Sequence, residues 1–477
     1  MKTHPLVWMI SISALIFFVG SSVRHALFQS GAFDLGFFDQ LVYLISQGQP
    51  PISSILGFHL LGDHAAWAIY PLGLLYKLYP DVHWLFAVQA VALALGAWPT
   101  WRLARQAGLS EGQAIAMAVV YLLYPLVFNI TLFDFHPEVM ALPALLGAIL
   151  AARLNQLWWF SLAIVFVLGC KAALSLTVAS MGIWLLVFEK KRRCGAIALI
   201  LGISWFLIAS KVIIPLFSGR EPAALHRYSY LGNSISEIMK NLLLKPGLVL
   251  DRINVQNSLT YLAKLVFPVI WGLSPQHLAA LISTVPVLVL NILSDVPYQR
   301  SLQHQYSMPV LPFLLVAVIS TLAAGQGWLR NRRTIILWSL LAFFALAKYS
   351  YFWSTYLESL DTSQATREAI AQITTKGGVL TTHDIAPHLT HRSIVKLAYA
   401  VTPTADVAAA ASTDLSKIDY ILLNVRHPGW LSTPEFATSL VEQFKKDESF
   451  QLHYQRDDVY LFLRGNREQD KRDKENF

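Results

Sequence analysis

The sequence predicts an α-helical polytopic membrane protein that ends in a small α/β domain. Three observations carry this. Apolar residues make up 55% of the 477-residue chain and charged residues only 14%, with a positive mean hydropathy, outside the range of ordinary soluble domains. The apolar residues gather in long runs separated by short basic loops. After about residue 354 the pattern changes to alternating strand and helix signals.

Apolar runs that can cross a bilayer lie near 5–23, 82–102, 112–132, 139–153, 157–170, 172–188, 195–217, 259–273, 277–293, 308–324 and 334–353. Several fall short of the roughly 20 residues an upright helix needs, so about eleven spans are expected, some short or broken. The first run follows Lys2 and His4 without a clear small-x-small cleavage site, and reads as an uncleaved span. The segment 65–80 is short and carries Pro71 and Lys77, which favours a re-entrant or interfacial element; as a true span it would put Asp34 and Asp134 on opposite faces.

The formal charge of +8 reflects orientation, not nucleic-acid binding. Arg102, Arg105, Arg153, the run Lys190 to Arg193, and Arg330 with Arg332 and Arg333 occupy short loops, where basic residues mark the cytoplasmic side. With 65–80 not crossing, the remaining polar clusters share the outer face. Cys170 and Cys194 supply neither a disulfide framework nor a metal spacing.

Beyond the spans, REAIAQI and PEFATSLVEQFKK read as helices, and GGVLTT, SIVKL, DYILLNV and FQLHYQRDDVYLFLR as strands. The expected organisation is a membrane domain over 1–353 with a catalytic-type first outer loop at 24–67, an extracytoplasmic α/β domain over 354–465, and a disordered charged tail over 466–477.

Chemistry is expected where ionisable groups crowd the apolar runs, because such groups are costly unless they face water, a cavity or each other. Asp34 and Asp39 lie in FDLGFFDQ, where the flanking phenylalanines suit an interfacial helix with its polar edge toward a cavity; both also read as solvated loop acids. Asp63-His64 and Asp134-x-His136-x-Glu138 offer oxygen and nitrogen ligands for a divalent cation, although neither spacing is a metal signature and His136-Pro137 also reads as a helix start. Lys171, between two apolar runs, reads as a snorkelling lysine or as an anion ligand. On the same face two loops stand out, Arg220-Glu221 through His226-Arg227-Tyr228, and Ser294-Asp295 through Arg300, His304 and Tyr306; the last three suit a phosphate.

The words FDLGFFDQ (33–40), LGDHAAWAIYPL (61–72), LYPLVFNITLFDFHPE (123–138), LNILSDVPYQRSLQHQYSMPVLPF (290–313) and VLTTHDIAPHLTHRSI (379–394) resemble the DUF2079 membrane family over nearly the whole chain. That family in turn resembles the GT-C membrane glycosyltransferases, such as protein O-mannosyltransferases and the aminoarabinose transferases of lipid A. The resemblance implies a sugar transferred from a polyprenyl-phosphate donor to an extracytoplasmic acceptor in a bacterial plasma membrane. It places an essential acid at Asp34 and a second acidic motif at Asp63, ahead of Tyr70-Pro71-Leu72. Relatives carry acids just after the position of Lys171, where this chain has Ala172-Ala173. Asp34 is the expected base, Asp63 and Asp134 its orienting or cation-holding partners. A transporter and a non-enzymatic envelope protein are the competing classes. Sugar, acceptor and oligomeric state are not legible.

Overall fold

A computed structural model describes residues 4–400 and 414–465; the expected charged tail at 466–477 lies outside the described residues. Chain contacts divide it into two compact units, one of Met1–Ser21, Leu60–Ile69 and His83–Tyr349, the other of Ser22–His59, Tyr70–Val82 and Ser350–Phe477. Of residues 24–67, those up to 59 therefore group with the C-terminal sheet and those from 60 with the helical unit.

The first unit is helical. Among the described residues, five helices are long and apolar enough to cross a membrane: Pro5–Ala26, His83–Gln106, Arg192–Ser218, Pro275–Leu293 and Gln305–Ala323. Two bent pairs, Glu111–Leu122 with Pro125–Thr131 and Arg332–Leu346 with Tyr349–Leu357, raise the number to seven, and Leu157–Cys170 and Leu174–Val187 are shorter apolar helices. Fewer than eleven thus meet the length by themselves. Proline is one cause: Pro125 starts a new helix after a 43° bend because its ring and missing N–H cannot continue the old one. Gln305–Ala323 has 83% of its apolar window buried, whereas Pro5–Ala26 has 17% and bares Trp8 and Leu15, as a helix bordered by lipid can. Residues 65–80 hold only the six-residue helices Trp67–Leu72 and Gly73–Leu78, neither of spanning length.

The second unit is built on a five-stranded sheet. Its strands are β1 (Gly378–Thr381), β2 (Val395–Leu397), β3 (Ile418–Asn424), β4 (Phe450–Arg456) and β5 (Val459–Arg464), in the order β2-β1-β3-β5-β4. The first three are parallel, and β5 runs antiparallel to both β3 and β4. Period-two alternation explains the layers. Val379, Tyr420, Leu422 and Leu461 pack with Ala365 and Ala369 of helix Leu360–Ala371, while Leu380, Ile421, Leu423 and Phe462 pack with Val441 and Phe444 of helix Pro434–Lys446. Burial on both faces is why β3 is an almost unbroken apolar run.

Helix Phe37–Ser46 belongs to this unit, and it corrects the reading of Asp39 as a solvated or cavity-facing acid. Asp39 is 1% exposed. Its carboxylate accepts from the hydroxyls of Tyr76 and Thr390, with His391 Nε2 at 3.2 Å. Gln40 donates to the Arg392 carbonyl at 3.1 Å, and Ser54 both donates to the Val395 carbonyl (3.1 Å) and accepts from its N–H (2.8 Å). A buried acid with three donors is a structural tie.

Candidate functional site

Within the first unit, four stretches far apart in sequence bring most of the candidate residues together. The short helix Leu60–His64 is fixed by the Ala172 N–H, which donates to the His64 carbonyl at 2.8 Å, and by a close fit of Trp67 on Gly169, where a Cβ would lie 2.3 Å from the indole. This sets Asp63 and His64 beside a helix break. Leu157–Cys170 ends there with Lys171 in extended backbone (φ −164°, ψ 136°), and the next helix starts at Leu174. The lysine does not snorkel: its ammonium pairs with Glu138, the first residue of helix Glu138–Arg153, with side chains 12% and 5% exposed. Among the described residues the second carboxylate oxygen of Glu138 has no hydrogen-bond partner.

The Phe133–Glu138 island supplies the second wall. His136 Nδ1 lies 2.9 Å from the Asp134 carbonyl oxygen, and Phe133 stacks on the His136 ring (5.2 Å) and meets His304 edge-on (4.7 Å). Asp134 is buried. His304, Tyr306 and Tyr298 form an aromatic group with centroids 5.4–6.4 Å apart.

Arg227, from the short helix Ala223–Tyr228, places its guanidinium 5.1 Å from the Tyr306 ring, and Lys171 Nζ lies 5.7 Å from the same ring. Among the described residues Arg227 Nε is buried without a hydrogen-bond partner. Two cations thus flank one tyrosine, and Lys171 is paired with Glu138. Burial first, then the charges of Lys171, Arg227 and His136, hold the His64 imidazole well below its usual value of 6.5, so it is neutral at pH 7. His64 Nε2 is 3.3 Å from the Asp63 carboxylate and Nδ1 3.1 Å from the Asp63 carbonyl; the neutral ring can donate to only one of them. The arrangement offers an acid–imidazole pair beside fixed positive charge, suited to a substrate carrying an anion next to a reacting centre.

Two expected residues stand elsewhere. Arg300 Nη1 donates to the carbonyls of Asn291, Ile292 and Ser294 at 2.6–3.2 Å, capping helix Val285–Leu293 as a cation suits a helix C-terminus. Asp34 belongs to the second unit, partly buried in the turn Ala32–Gly36. Arg227 and Tyr298 were absent from the expected set; the loop of Arg227 stood out in sequence, but its pairing with Tyr306 has no local signal. As for a cation, Asp63, His64, His136 and Glu138 do not form a metal-holding group, and among the described residues no three His, Cys, Asp or Glu side chains do.

A family model described as predicted membrane protein DUF2079 matches residues 24–461. The fold is similar to that of ArnT from Cupriavidus metallidurans in the apo state (TM-score 0.56, 10% identity, covering 96% of this chain and 97% of that one). It is similar also to the same protein bound to undecaprenyl phosphate (TM-score 0.53, 12% identity, covering 96% and 97%). At this identity the likeness is one of fold. No curated protein matches the sequence.

Proposed function

The chain belongs to the DUF2079 family of membrane proteins, and from that premise we propose that it is a GT-C-type glycosyltransferase using a polyprenyl-phosphate-linked sugar. In this reading about eleven spans carry it in a bacterial plasma membrane with the C-terminal sheet outside the cytoplasm. The acceptor hydroxyl oxygen attacks the anomeric carbon as the bond from that carbon to the phosphate oxygen breaks. The phosphate leaves with the electron pair, the acceptor proton passes to a carboxylate, and the anomeric centre inverts. Because phosphate is a good leaving group, the needs are a base and positive charge at the departing oxygen.

Lys171 and Arg227 supply the charge, with Tyr306 and His304 lining the phosphate position; Arg300 fixes the loop that carries both. Asp34 is the base on the strength of the GT-C resemblance, and Asp63 and Asp134 orient the acceptor. No step is assigned to a divalent cation. The observation that carries the reading is the meeting of Asp63-His64, Lys171 and Arg227 from separate stretches in one partly buried group. It is supported by a fold shared with a protein whose structure holds undecaprenyl phosphate.

The test is release of polyprenyl phosphate from labelled polyprenyl-phosphate sugars in proteoliposomes. Arg227→Gln should raise the donor KM about tenfold or more, the loss of one charge-assisted phosphate contact. Asp34→Asn should lower kcat by about two orders of magnitude. No turnover by the wild type across a panel of such donors and acceptors would overturn the reading.

A further inference from the structure

The sheet of the second unit contains a crevice that the transfer reaction does not use. From the carboxyl end of β1 the chain departs to β2 on one side, whereas from the end of β3 it departs through helix Pro434–Lys446 to β4 and β5 on the other. Two loops that leave adjacent parallel strands in opposite directions open a crevice between them, the place where open α/β sheets bind ligands. Here a cleft of about 240 Å3, counting the open solvent at its mouth, is lined by the apolar Phe28 and Ile385 and by Asp384 after β1, Asn424 and His427 at the end of β3, and Ser359, Thr362 and Thr366 beside or within the first two turns of helix Leu360–Ala371. The cavity volume proper is only about 10 Å3, room for one water or one hydroxyl.

The surrounding groups are held rigid. Asp361 is fixed by His427 Nε2 and Arg426 Nη1, each at 2.8 Å, and Arg426 also binds Asp458 at 2.7 Å. Gly429 has φ +78°, and a Cβ on it would lie 2.8–2.9 Å from His383 and Asp384, so glycine lets the two loops close together. Asp384 Oδ1 meets His383 Nδ1 at 2.7 Å, and among the described residues its Oδ2 has no hydrogen-bond or ion-pair partner. Beside them Trp430, 56% exposed, is braced edge-on by Phe33 and His383 at 5.5 and 6.1 Å.

We propose that this crevice binds a neutral saccharide, one hydroxyl entering the cleft toward Asp384 and Asn424 and a sugar face resting on Trp430. Carboxylates, an amide and hydroxyls accept and donate to sugar O–H groups, an aromatic face takes the apolar side of the ring, and Asp361 with Asp384 repels a phosphate or carboxylate ligand. This binding does not rest on the transferase reading.

The experiment presents the full-length protein in nanodiscs to an array of neutral oligosaccharides, then titrates the best-retained one. Retention of at least one, weakened tenfold or more by Trp430→Ala and by Asp384→Ala with unchanged unfolding temperature for Trp430→Ala, is the expected result. An array with nothing retained, or retention indifferent to both substitutions, overturns the proposal. Saccharide binding without donor turnover would sink the transferase reading and leave this site standing. Donor turnover without saccharide retention would do the reverse.

Discussion

The Lys171–Glu138 pair allows the sharpest test of the membrane unit. Both side chains are withdrawn from solvent, at 12% and 5% exposure, and one oxygen of Glu138 already lacks a partner. Removing one member leaves a buried charge uncompensated, which costs about 3–5 kcal/mol, whereas replacing both by apolar groups of similar size is near neutral. Lys171→Met and Glu138→Leu should therefore each cost about 3–5 kcal/mol, and the double variant should come within about 1 kcal/mol of wild type. The corresponding coupling is about 5 kcal/mol or more. Reversible unfolding in mixed micelles, followed by tryptophan fluorescence for all four proteins, measures it. Additive single effects, with coupling below about 0.5 kcal/mol, would show that the two groups do not depend on each other. Donor turnover gives a separate reading: the double variant regains stability but lacks the lysine charge, so its turnover should stay low.

Asp39→Asn should destabilise the protein by about 1–3 kcal/mol, because an amide cannot accept from Tyr76, Thr390 and His391 as the carboxylate does. Asp34→Asn should cost less; equal unfolding midpoints for the two would refute the tie. With His64 held neutral in the native protein and titrating near 6.5 once unfolded, the unfolded chain binds more protons below that pH. Stability should thus fall as pH drops below about 6.5, by at most about 1.4 kcal/mol per pH unit, and a His64→Gln variant whose profile matched wild type would exclude the residue as the cause. Gly169→Ala puts a methyl where the Trp67 indole lies and should cost about 1–3 kcal/mol, a loss that Trp67→Leu in the same chain should largely relieve; no recovery in the paired variant would count against this packing.

Local pattern made the sheet legible and left its partners hidden. DYILLNV and the pair in FQLHYQRDDVYLFLR became β3, β4 and β5 because apolar runs of that length between turn residues have few other solutions. Membership of the membrane family was legible too, from words such as FDFHPE. Asp39 was misread because nothing beside it in sequence marks its burial: it lies in the first turn of helix Phe37–Ser46, and the Thr390 that binds it lies 351 residues later. The snorkelling reading of Lys171 missed its ion pair for the same reason, the partner Glu138 lying on another helix. Arg300 carries the right charge for a phosphate yet spends it on three carbonyls at the end of the preceding helix, a contact that composition does not reveal. Periodicity reports which face is apolar; which ion meets which is set by tertiary packing.

The tie between helix Phe37–Ser46 and the segment around Thr390 bears on biogenesis. During synthesis the N-terminal member emerges first, and its buried acid must wait for a partner 351 residues behind it. At roughly 5–20 residues per second the wait is on the order of 18–70 s. Throughout that time Asp39, Gln40 and Ser54 lack the C-terminal groups that will satisfy them. Nascent chains arrested before Thr390 should accordingly show this segment open to an added protease, and chains released past Val395 should show it closed. A truncated or stalled product would be marked for degradation at its beginning by what is missing at its end.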